Sequence, residues 1–104
     1  MTVGEWLRER EPTPPARLAA RIESAIGAKS AEPAARACEV CLDTCTRLLD
    51  EITARPSQGR ESALDLLAAD ALATYALEAA TESLATLEAR SRDAMKRLAA
   101  IADG

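Results

Sequence analysis

The chain of 104 residues contains no histidine and no phenylalanine, and its aromatic complement is Trp6 and Tyr75. Without imidazole there is no histidine general base, no Ser-His or Cys-His nucleophile pair and no histidine metal ligand. Di-iron carboxylate bundles and HExxH zinc peptidases are excluded on the same ground. Two aromatics cannot build a base-stacking platform, and a net charge of −4 gives no general attraction to nucleic acid or to an anionic membrane. Long hydrophobic runs are also missing, since no stretch approaches the roughly 18 to 20 apolar residues of a membrane span. The opening residues 1–10 carry charges where a signal peptide needs its apolar run. Neither a myristoylation start nor a C-terminal prenylation box is present. A cytoplasmic location is therefore the expectation. Three cysteines, which cannot all pair within one chain, fit a reducing compartment.

What is abundant is alanine, at 24 positions against 21 for Leu, Ile, Val and Met together. Arginine outnumbers lysine eleven to two, which with the alanine content suggests a GC-rich bacterial genome. β-Branched residues are sparse and no turn-flanked stretch alternates with period two, so strands are not expected.

Prolines at 12, 14, 15, 33 and 56 and glycines at 4, 27, 59 and 104 divide the chain. Thr2 and Glu5 form a T-x-x-E capping box for a short helix over about 3–10, with Val3, Trp6, Leu7 and Arg10 on one face. Residues 11–15 read as a stiff hinge, with Thr13 capping a second helix that starts at Pro14. Leu18, Ile22 and Ile26 recur along that helix, and Gly27 is its natural stop. A third helix is expected from Ser30 or Ala31 to Arg55, with Pro33 in its first turn. Its seam of Ala34, Cys38, Cys41, Cys45, Leu48 and Ile52 is spaced as a heptad repeat. Glu32 with Arg36, Asp43 with Arg47, and Glu51 with Arg55 mark its solvent face.

Ser57 is placed to cap a fourth helix across Gln58-Gly59. That helix is apolar around most of its circumference, with Leu64, Leu72 and Tyr75 on one side, Leu66 and Leu77 on another, and Ala69, Ala73, Ala76 and Ala80 between. It is expected to be the most buried one. Leu84, Leu87, Ser91, Ala94, Leu98 and Ile101 form a second heptad seam. A break is expected at Thr81-Glu82-Ser83, where cap-forming residues coincide with a shift of the buried face. One unbroken helix, implying an oligomer, is the alternative. The expected fold is all-α: an antiparallel bundle of four main helices plus a short N-terminal helix. A single domain spans 1–104, with 1–12 forming the short helix and hinge and 13–104 the bundle. Alanine buries little area at roughly 25 cal/mol per Å², which is itself an argument for self-association.

Cys38, Cys41 and Cys45, spaced C-x2-C-x3-C, put three thiols on one helical face. The segment resembles, over about a turn and a half, the cysteine-lined four-helix copper-storage bundles. That resemblance implies Cu(I), or zinc with a fourth ligand from another chain, on these three residues. The competing reading is that seam cysteines are small buried hydrophobes. The spacing differs from the radical-SAM pattern, and no fourth cysteine is present for a ferredoxin site. Residues 56–83 hold five acids and one base. Among them Asp65 points into the apolar arc, where Arg60 is a candidate partner. Trp6 and Leu7, beyond the Pro-rich hinge, either dock on another protein or pack back on the bundle. No nucleophile–base pair and no phosphate-cradling glycine loop is present, so the chain is read as non-enzymatic. The expected function is contact with a protein partner or with a second copy. Thiol-based Cu(I) or zinc binding, or redox sensing, is the alternative.

Overall fold

A computed structural model describes residues 1–55 and 59–104, and it is all-α. Helix α1 spans Val3–Arg8, α2 Ala16–Ile26, α3 Ala37–Ala54 and α4 Arg60–Asp103. No strand is present among the described residues; one isolated antiparallel bridge joins Thr2 to Pro33.

The capping box at the start of α1 forms as the sequence implies: Glu5 N–H donates to Thr2 Oγ1 at 3.2 Å, and Thr2 N–H donates to Glu5 Oε1 at 3.1 Å. Helix α2 begins at Ala16, not Pro14, and has no side-chain cap from Thr13. The tandem prolines explain this. A residue that precedes proline is pushed out of the helical region, so Thr13 before Pro14 and Pro14 before Pro15 are both excluded from the first turn. Gly27 ends α2 at φ 57°, ψ −134°, a conformation that L side chains rarely adopt.

The same rule corrects the start of the third helix. Glu32, which precedes Pro33, is extended at ψ 155°, so residues 27–36 form two short 3₁₀ turns and α3 begins only at Ala37. The extended Glu32–Pro33 pair and the start of the turn at Ala34 are used instead to hold the N-terminus. Val3 N–H donates to the Glu32 carbonyl at 2.7 Å, and Ala34 N–H donates to the Met1 carbonyl at 3.0 Å.

The expected break at residues 81–83 does not occur. Residues 60–103 form one helix of 44 residues, so the expected fourth and fifth segments are a single rod and the bundle has three main helices rather than four. Thr81, read as part of a break, is accommodated by a hydroxyl bond to the carbonyl one turn back, Leu77 at 2.9 Å, as is Thr86 further on with Glu82 at 3.0 Å. The proposed Ser57 cap lies outside the described residues.

The core gathers Val3 and Trp6 of α1, Ile22, Ala25 and Ile26 of α2, Val40, Cys41 and Leu48 of α3, and Leu72, Tyr75 and Ala76 of α4. Ala68 and Ala69, fully buried on α4, let α3 approach closely. All of this packing lies on the N-terminal half of α4, and Ala79 is its last buried residue. A helix of 44 residues is about 66 Å long, and the molecule measures 69 × 24 × 23 Å. Its radius of gyration is 18.2 Å, against about 13 Å for a compact chain of this length. The excess is the distal half of α4, which extends beyond the bundle.

Candidate functional site

The thiol face of α3 lies largely inside the core. Cys41 is fully buried, Cys45 is buried and Cys38 is half-buried; all three are free thiols. Burial, with a smaller contribution from neighbouring Cys38, pushes the Cys41 thiol up to about 11. Burial raises Cys45 as well, aided by the negative charge of Asp70. A metal thiolate needs the opposite environment, one that favours the anion. Among the described residues, no group of three or more His, Cys, Asp or Glu side chains is arranged to hold a metal ion.

Trp6 packs into the bundle and is only 5% exposed. Its indole N–H donates to Glu82 Oε2 at 2.8 Å. Arg10, one turn on, stacks its guanidinium 3.8 Å from the Trp6 ring centroid and donates to Glu82 Oε1 at 2.9 Å. Together these bonds tie α1 to the middle of α4 and hold the Glu82 carboxyl below its usual range. Leu7 is half-buried and lines a cleft of about 240 Å³ with Ile22, Ile26 and Tyr75. That cleft is smaller than the several hundred Å³ of ordinary ligand sites.

Asp65 is buried, with a different partner from the Arg60 that sequence proximity suggests. Its two oxygens accept from Arg21 Nε at 2.5 Å and Arg55 Nη1 at 2.7 Å. Burial alone raises such a carboxyl; the two guanidiniums overcome that and hold it below the usual value. The cluster clamps α2 and α3 to the start of α4. Its oxygens are fully engaged and the arrangement is that of a structural ion pair.

The remaining feature is the surface of α4. Every residue from Ala80 to Gly104 is exposed. The heptad seam of Leu84, Leu87, Ser91, Ala94, Leu98 and Ile101 faces solvent. Counted backwards with the same spacing, it continues through Ala80, Leu77, Ala73 and Asp70 to Leu66. The fourth-segment expectation is thereby corrected: Leu66 and Leu77 are not buried, but stand on the outer side of the bundle in line with the distal seam. Leu66, Leu77, Leu84, Leu87, Leu98 and Ile101 are 55–76% exposed. Helix α4 therefore carries two apolar faces. One, through Ala68, Leu72, Tyr75 and Ala79, closes the core; the other runs nearly the whole length of the rod. The sequence signal for the second face was the Leu66/Leu77 side of the helical wheel, visible but indistinguishable from a second core face.

No family model, no curated protein and no solved structure matches the chain.

Proposed function

We propose that this chain works through protein–protein contact, as a scaffold, an accessory subunit or a homo-oligomer in the cytoplasm, and catalyses no reaction itself. The exposed seam of α4 is its contact surface. The observation that carries this reading is the helix beyond Glu82, which presents Leu84, Leu87, Met95, Leu98 and Ile101 to solvent with no covering element among the described residues. Each such side chain gains about 1.5–3 kcal/mol on full burial. In proteins most helical stability comes from packing of an apolar face rather than from intrinsic propensity. A rod with this pattern is supported by a partner. No helix is long and apolar enough to cross a membrane among the described residues.

A photo-crosslinking residue placed in living cells at Leu87 or Leu98, and separately at Arg92 on the other side of the rod, tests the reading. Covalent adducts from the two seam positions and few from Arg92 are expected. Equal yields at all three positions, or no adduct at any, overturn it.

A further inference from the structure

We infer that the partner of the α4 seam is a second copy of this chain, docked antiparallel so that the distal half of each α4 lies along the bundle of the other. The inference rests on the contact reading above and specifies the occupant.

The sequence of the seam favours self-pairing. In an antiparallel pair, each first-position residue of the heptad faces a fourth-position residue of the other helix. One register aligns the chain best. It places Leu84 opposite Leu87 of the second copy, twice about the two-fold axis. Outward from this centre, Ala80 faces Ser91, Leu77 faces Ala94, Ala73 faces Leu98, and Asp70 faces Ile101 of the second copy. Large meets small in the Leu77 and Leu98 layers, which keeps the helices evenly spaced. The volumes match because the alanines of the bundle half complement the leucines of the distal half.

Charge selects the same arrangement. Asp70 is the one acidic residue on the seam. In a parallel, in-register dimer it meets Asp70 of the second copy face to face, a destabilising contact between like charges. In the antiparallel register it comes within one helical turn of Arg97 of the second copy. Within its own chain, Arg97 pairs at 3.1 Å with Asp93, an exposed i,i+4 contact of little strength. Arg90 and Arg97 flank the seam on one side. Here Arg90 faces the exposed Ser83 of the second copy, whereas sliding the helices apart by one heptad sets Arg90 against Arg90.

The bundle supplies a second wall. Ala73 of the seam is half-buried against the core to which α3 contributes Cys41, Cys45 and Leu48, so the seam runs beside α3. Leu42 and Leu49, exposed at 53% and 43%, lie one turn to either side of Cys45. Arg47, which donates to the Ala25 carbonyl of α2, projects from the opposite side of α3. The outer groove between α3 and α4 is thus apolar and free of α2, and the distal α4 of the second copy fits along it.

The test combines mass with direction. Light scattering on the purified chain is expected to give twice 11.0 kDa, about 22 kDa. A spin label at Asp103→Cys, in a chain carrying Cys38→Ser, reports direction. In the antiparallel register Asp103 lies opposite residue 68 of the second copy. The two labels are then about 52 Å apart, at 1.5 Å per residue along the axis. A parallel pair places them on the order of 20 Å apart, given helix axes 8–10 Å from one another. A mass of one chain at high micromolar concentration overturns the inference, and so does a single short distance. If the mass is that of one chain while seam crosslinks in cells carry a foreign protein, self-docking fails and the contact reading stands. If both experiments are negative, both fail.

Discussion

The indole nitrogen of Trp6 lies 2.8 Å from the carboxylate of Glu82, and among the described residues this is the last place where the rest of the chain bonds to α4. Beyond it, among the described residues, the ion pairs of α4 stay within the helix, as in Glu88–Arg92 and Asp93–Arg97. The contact marks the boundary between a helix supported by its own bundle and a helix that needs support from elsewhere.

Because Trp6 is the one tryptophan, its fluorescence reports this contact directly. The hydrogen bond from Trp6, followed by that from Arg10, lowers the Glu82 pKa in the folded chain. The contact is therefore present above the ordinary glutamate range and is lost as pH falls through the lowered folded value. A fluorescence titration is expected to show a midpoint below 4.5. Glu82→Gln removes that transition. A midpoint at or above the ordinary value contradicts the geometry. Trp6→Ala, which empties a core site, is expected to cost about 3–5 kcal/mol in denaturant unfolding.

The Asp65 cluster predicts acid sensitivity. Its folded-state pKa is lowered, so its stabilisation is complete above the unfolded value of 3.8 and disappears as pH falls through the folded one. Asp65→Asn is expected to cost about 1.5–3 kcal/mol at neutral pH, because Arg21 and Arg55 lose their charged acceptor. Once the pH falls through that lowered folded-state value the variant and the parent converge, as the parent carboxyl becomes protonated. A urea-unfolding series from pH 7 to pH 2 measures both effects. A difference that does not shrink in acid rules out this role for the carboxylate.

The thiols separate by burial. With a bulky maleimide at pH 8, Cys38 is expected to react first. Cys41, fully buried and with its pKa pushed up to about 11, should react only through opening of the fold, as should Cys45. Mass spectrometry after timed quenching reads the order. Adding Cu(I) or Zn(II) should leave the order and the rates unchanged. Rapid labelling of all three, or protection of all three by metal, reinstates the thiol site.

Gly27 sits at φ 57° with open space around its missing side chain. Gly27→Ala is therefore a test of backbone strain alone, with an expected cost of about 1–2 kcal/mol in thermal or urea unfolding. An unchanged stability shows that α2 can end in another conformation.

Much of the fold was legible where a local rule acts alone. Thr2 with Glu5, Gly27 as a stop, and the inward placement of Cys41, Cys45 and Leu48 all follow from capping chemistry and heptad spacing. The errors arose where two local rules competed. Pro14 is a good first helical residue except when Pro15 follows it. Ser30 and Ala31 resemble a helix start, yet Glu32 before Pro33 must be extended. Thr81 is a good cap, but its hydroxyl is equally satisfied by the Leu77 carbonyl inside a helix. Asp65 drew Arg21 from 44 residues away, a pairing that no periodicity records. The α4 seam was harder for a different reason. An apolar stripe that closes a core and one that waits for a partner have the same spacing, and only the placement of α2 and α3 tells them apart.

Amide hydrogen exchange across α4, comparing the parent chain with Leu84→Glu/Leu98→Glu, tests most directly whether the seam is covered. Glutamate is as good a helix former as leucine to within a few tenths of a kcal/mol, so the substitution removes the contact and not the helix propensity. Protection of residues 84–101 in the parent and its loss in the variant, with Leu72–Ala79 equally protected in both, is the expected result. Identical exchange of residues 84–101 in the two proteins contradicts a seam that is held by a partner.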